Sequence, residues 1–411
     1  MEILLTLREE NVLITHDLRT FLQHSFTSAL LLISLVVFSL FLPSTARSQE
    51  FEHKLFTSNT LIEGRFYYGF LYAQHIELER FNGHFPVFEI NLQQETFGKH
   101  KWERAYNYPD IGMSFLYTGL GKSPELGSAL SIFPFIDFPL VRYKNFSFNF
   151  RFGLGVGYLT KRFDRLTDYK NLAIGSHINA SANLMFKARY KLTERFTLSL
   201  GFGLQHFSNG SLKLPNYGLN IIAMNAGLAY RLVRENKSIG DRFISPTEPY
   251  SAILRHTIEF DAGGALGWKN EKAVLGENFM VYHIYENTFF PVKRKSKWGF
   301  GFDLSYDESQ VKILENNGVD VTDKFKIIRP GINGAYMLVL SRLDFIFNFG
   351  YYLGGLYKSD GPFYEKLSFQ YKFSQYIYAN VMLLVHWGRA DYIGWGFGVH
   401  LEKSYGKKLI K

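Results

Sequence analysis

FSFNFRFGLGVGY, residues 146–158, sets Phe146, Phe148, Phe150, Phe152, Leu154, Val156 and Tyr158 against Ser147, Asn149, Arg151, Gly153, Gly155 and Gly157. One set is apolar throughout, and the other is small or polar. Successive side chains of a strand point to opposite faces, so alternation over this length reads as a strand in a two-sided sheet. A soluble sandwich has the same period, but its strands are usually about half as long. Long runs, an inner face of Gly, Asn, Ser and Arg, and Tyr or Phe at the run ends favour an all-β, antiparallel transmembrane barrel of the bacterial outer membrane.

The same period recurs at 178–190, 196–208, 222–232, 298–306, 343–353, 377–387 and 393–401. Weaker runs lie near 60–74, 84–97, 107–119, 128–140, 256–268, 276–290, 331–340 and 363–373. Together they predict roughly sixteen strands, an even number as bacterial barrels require. The pattern stops at 234–250, RENKSIGDRFISPTEPY, with six charges and two prolines. The expected organisation is a leader over 1–48, a first eight-stranded unit over 49–233, a linker over 234–252 and a second set of about eight strands over 253–411. The closing parts of the halves look distantly alike, which fits a degenerate repeat or simply shared barrel composition. One sixteen-stranded barrel is favoured over two eight-stranded ones, because only the final strand is placed to signal to the barrel-assembly machinery. One large barrel would enclose a wide lumen, whereas small ones would be filled by side chains.

The rest of the composition narrows the class. Of 411 residues 46% are hydrophobic, with 40 Phe, 26 Tyr and no Cys, so disulfide frameworks and thiolate chemistry are excluded. The longest apolar run, 26–42, precedes Ala46-Arg47-Ser48, which has small residues at the two positions read by signal peptidase. Removal of a signal peptide after Ser48 is expected, with a retained anchor helix as the alternative reading of the same run. Later segments lack the ~20 apolar residues of a membrane helix, so strands must carry any membrane role. The formal charge of +9 is compatible with lipid phosphates. No nucleic-acid partner is expected.

The segment with chemical content is GLQHFSNGSLKLPNYGLN, residues 203–220, between the seventh and eighth strands. His206 and Ser208 share a strand face with Phe202 and Leu204, the face turned toward lipid. Polar groups there have few partners, so their presence wants a reason. A serine esterase supplies one: His206 as general base, Ser208 as nucleophile attacking an ester carbonyl. Asn220 shares the outward phase of the next strand and could hold the imidazole tautomer. Asn209 and the amides of the Gly210-Ser211 turn could supply oxyanion donors. Against this, Asn-Gly and Ser are ordinary turn residues at a strand end.

His206-Phe207-Ser208-Asn209-Gly210, followed by Lys213-Leu214-Pro215-Asn216-Tyr217-Gly218, resembles the signature of the outer-membrane lipid A 3-O-deacylases of the PagL type. The resemblance covers about residues 51–232. It implies an eight-stranded barrel with an outer-wall esterase site, His206 as base, Ser208 as nucleophile, and Asn209 with the nearby turn amides as oxyanion stabilisers. It also implies lipid A of lipopolysaccharide in the outer leaflet of a Gram-negative cell as substrate, with no cofactor. Two features depart from it. The family's acid falls at Asn220, which opens a substitute role for Asp164 or Asp168 in the neighbouring loop, and the chain is about twice the usual length. The rival readings are a porin or lipid-binding barrel without chemistry. No metal site is expected: His75, Glu77 and Glu79 read as solvated loop residues, and His386, on the inward phase of its strand, as structural.

Overall fold

The computed structural model describes residues 59–121, 123–233, 257–271, 277–293, 295–357 and 359–404. The expected leader and the linker over 234–252 lie outside the described residues. Eight strands form before the interruption: β1 (Thr60–Tyr72), β2 (His84–Glu95), β3 (Asp110–Gly119), β4 (Ser128–Tyr143), β5 (Phe146–Leu159), β6 (Ile178–Lys191), β7 (Phe196–Ser208) and β8 (Leu219–Arg231). A short helix, α1 (Lys101–Ala105), lies between β2 and β3. Eight more follow: β9 (Thr257–Glu271), β10 (Glu277–Lys293), β11 (Ser296–Asp307), β12 (Arg329–Leu340), β13 (Leu343–Tyr352), β14 (Phe363–Lys372), β15 (Ile377–His386) and β16 (Arg389–Ser404), with α2 (Glu308–Asn316) after β11.

These strands close into two barrels. β1 pairs antiparallel with β8 from Leu61↔Arg231 to Tyr72↔Asn220, and β16 pairs with β9 from Ile393↔Trp268 to Ser404↔Thr257. The favoured single sixteen-stranded barrel is therefore replaced by its alternative, two rings of eight. The physical reason is in the interiors. Arg151, Lys187, Phe133, Phe135, Met185 and Phe207 are wholly or almost wholly buried and fill the first ring from wall to wall, as the narrow bore of eight strands allows. In the second ring Tyr364, Tyr378, Tyr392 and Lys366 do the same. The wide aqueous lumen of the porin reading does not form among the described residues.

Polarity runs from inside to outside, the reverse of a soluble protein. Leu200 and Met224 on the outer wall are 58% and 72% exposed, whereas Arg151 and Lys187 are 0% exposed. Buried charge is costly unless paired, and it is paired here. Arg151 bonds Glu89 at 2.8 Å and stacks over Phe135, Arg65 bonds Glu63 at 2.5 Å, and Lys187 pairs with Asp137. Toward the end that carries the longer loops the filling turns apolar, around Phe133, Leu159, Ile174, Phe207 and Leu219. Outside, Phe150, Phe186 and Phe202 form an aromatic row across β5, β6 and β7, with centroids 5.0 and 5.6 Å apart. Such a surface is stable only against hydrocarbon.

The rings lie side by side with their long-loop ends together. Phe152 of β5 meets Phe345 of β13 and Phe369 of β14 at 6.0 and 6.3 Å. At the long-loop end Ser211 Oγ donates to the Ala390 carbonyl at 2.7 Å, and the Asn270 amide donates to the Ser211 carbonyl at 2.8 Å. At the opposite end Tyr106 Oη donates to the Lys295 carbonyl at 2.9 Å.

Candidate active site

β7 carries the site because its alternation is strict up to its last residue. Gln205 and Phe207 point inward and are buried, Gln205 bonding Ser181 Oγ at 2.7 Å. His206 and Ser208 therefore point out of the wall, both half-buried. The β7–β8 register sets His206 opposite Asn220, and His206 Nδ1 lies 2.7 Å from Asn220 Oδ1. An amide oxygen only accepts, so Nδ1 carries the proton and Nε2 keeps its lone pair. A glycine is needed beside this ring: Gly218 has φ +79° and a Cβ there would lie 3.0 Å from His206 Cε1.

Ser208 sits two residues along the same face. Its Oγ accepts from the Gly210 amide at 3.2 Å and from Asn216 Nδ2 at 2.9 Å. Gly210 adopts φ +61°, which turns its N–H back toward the hydroxyl. Among the described residues no hydrogen bond joins His206 Nε2 to Ser208 Oγ. The arrangement brings together an oriented imidazole, a hydroxyl and two N–H donors on one patch of outer wall.

The other expected groups are placed differently. The Asn209 side chain is buried and committed to the loop, its Nδ2 donating to Ser176 Oγ and the Lys213 carbonyl at 2.9 Å each. Ser211 faces the second barrel through the bonds given above. Asn216, which donates to the hydroxyl, was not among the residues singled out from the sequence for a role. Asp164 and Asp168 are not hydrogen-bonded to His206. Asp164 caps its own turn by accepting from the Leu166 and Thr167 amides at 2.9 Å each, which holds its carboxyl below the usual carboxylate range. His75 stacks on Tyr217 at 4.2 Å. His386 faces inward, 3.1 Å from Tyr352 Oη. It also lies with Asp360 and Asp391 in a group whose ligand-type atoms are within 4.8 Å of one another. Both carboxylates there have a cation beside them, Arg329 on Asp360 at 2.9 Å and Lys269, which Asp307 shares, on Asp391 at 2.7 Å.

Closed, inside-out rings of eight strands define the fold of an outer-membrane β-barrel. Residues 87–229, in the first barrel, match the family model described as "Lipid A 3-O-deacylase (PagL)". Residues 258–403, in the second, match the model described as "Acyloxyacyl hydrolase, C-terminal domain". No curated protein matches the chain. Among solved structures it is similar to Neisserial surface protein A, at 10% identity and a TM-score of 0.30, over 42% of this chain and 97% of that one. It is also similar to a mutant porin of Rhodopseudomonas blastica, at 6% identity and a TM-score of 0.17, over 83% of this chain and 99% of that one.

Proposed function

We propose that the protein is a serine esterase of the outer membrane that removes an ester-linked acyl chain from lipid A, with His206 as base, Ser208 as nucleophile and Asn220 as the group that orients the base. The observation that carries this reading is the 2.7 Å contact between His206 Nδ1 and Asn220 Oδ1 on the outer wall, with Ser208 two residues along the same strand face. A structural histidine would have no need of a fixed tautomer beside a hydroxyl on a surface bathed in lipid. The family match to lipid A 3-O-deacylases supports the substrate.

In this reading Nε2 takes the Ser208 proton as Oγ bonds to the ester carbonyl carbon and the carbonyl electron pair moves onto oxygen. The Gly210 N–H and Asn216 Nδ2, both aimed at Oγ, lie within reach of that oxyanion. Collapse breaks the C–O bond to the sugar, whose oxygen takes the proton from Nε2. Water then repeats the sequence, releasing the carboxylate and restoring the serine. The Nε2–Oγ bond is expected to close in the substrate complex, as such bonds commonly do. Asn209 and Ser211 act by holding the turn.

The test is the mass spectrum of lipid A from cells expressing the wild type or Ser208→Ala. Loss of one acyl chain with the wild type, and none with the variant, is expected. Unchanged lipid A with both, alongside retained lipid binding, would leave an acyl-binding barrel without turnover.

A further inference from the structure

We infer that the second barrel is a working part of the site: its outer wall, through Leu383 and Phe369, forms one side and the floor of a seam that receives the acyl chain and sets its length. The inference rests on the esterase reading above and deepens it. A Cβ on Gly210 would fall 2.4 Å from Ile393 Cδ1 and 3.8 Å from Leu383 Cδ1. The second barrel thus touches the backbone of the turn whose amide bonds Ser208, and no lipid chain can pass between them. Polar bonds fix that contact in register, since Leu214 N also donates to Asn270 Oδ1 at 3.3 Å, besides the two bonds through Ser211.

On the first barrel the β6 residues opposite Ser208 and His206 are Ala180 and Ala182. Their small side chains, both half-buried, leave a trough in the wall directly beside the nucleophile. One pair further down, the cross-strand neighbours become Leu184 and Leu204, and Phe152, opposite Leu184 on β5, closes the seam against Phe369. From Ser208 to that closure is four residues of strand, about 13 Å. Val381, paired with Phe369, and Leu383, two residues nearer the long-loop end, are half-buried on the outer face of β15 and line the facing side. An ester carbonyl at Ser208 would place its acyl chain in this trough, away from the open bilayer.

The experiment measures kcat/KM of the purified full chain in detergent micelles against p-nitrophenyl esters of graded chain length, and against lipid A. Leu383→Trp is expected to shift the preference toward shorter chains and Phe369→Ala toward longer ones, each changing the long-to-short ratio by about tenfold or more. Ile284→Ala, on the lipid-exposed wall of β10, should leave the ratio as it is. Leu383→Phe, a milder filling, keeps the test open if the tryptophan variant does not fold. A wild type that hydrolyses esters while the folded variants keep its chain-length profile overturns the seam and leaves the esterase standing. A wild type inert toward every ester and toward lipid A removes both.

Discussion

Asn220 Oδ1 holds the histidine, while its Nδ2 is buried without a hydrogen-bond partner among the described residues. Asn220→Asp would exchange that unused donor for a carboxylate oxygen and place a charge beside the imidazolium formed during turnover. Steady-state hydrolysis by this variant should rise by about 10- to 100-fold in kcat, and Asn220→Ala should lower kcat on the order of 10²-fold. A flat response to both would mean that another group orients the ring. The outward direction of His206, Ser208 and Asn220 was legible in the sequence because strand parity says which way they point. Asn216 was not, because it reaches Ser208 by a fold-back of the loop, and loops have no period from which to read a direction.

Single elements show a similar division. β7 runs over the very residues, 196–208, whose alternation predicts it, since every outward position is apolar until His206. The weaker runs also became strands, and their boundaries moved by a few residues where Pro or charged groups blur the pattern, as at β12, which begins Arg329-Pro330. The packing of β7 makes a further demand on β5. A Cβ on Gly157 would lie 2.6 Å from the ring of Phe207, the buried residue between His206 and Ser208. Gly157→Val should overpack this contact at a cost of about 1–3 kcal/mol, read as a lower denaturant midpoint of the folded barrel. Lipid A hydrolysis should fall with it, because a displaced Phe207 moves both flanking outward side chains.

Across the whole molecule, alternation predicts how many strands there are but not which pair seals the ring. Closure depends on β1 finding β8 and β9 finding β16, edge pairings that leave no trace in hydropathy. Their interiors give a better sign, since Arg151 must meet Glu63, Glu89 and Asp137 across a narrow bore. Arg151→Met would strand those carboxylates without their shared cation, costing about 3–5 kcal/mol. Equilibrium unfolding from detergent or liposomes, compared with wild type, checks this figure.

Among the described residues no strand passes from one ring to the other, so a nick in the backbone between Val233 and Thr257 severs none of the described ladders. The two pieces, supplied as separate polypeptides, should meet as a heterodimer through the Ser211–Ala390, Asn270–Ser211 and Tyr106–Lys295 bonds and the aromatic contact at Phe152. Co-purification of the fragments from one membrane would register that recognition.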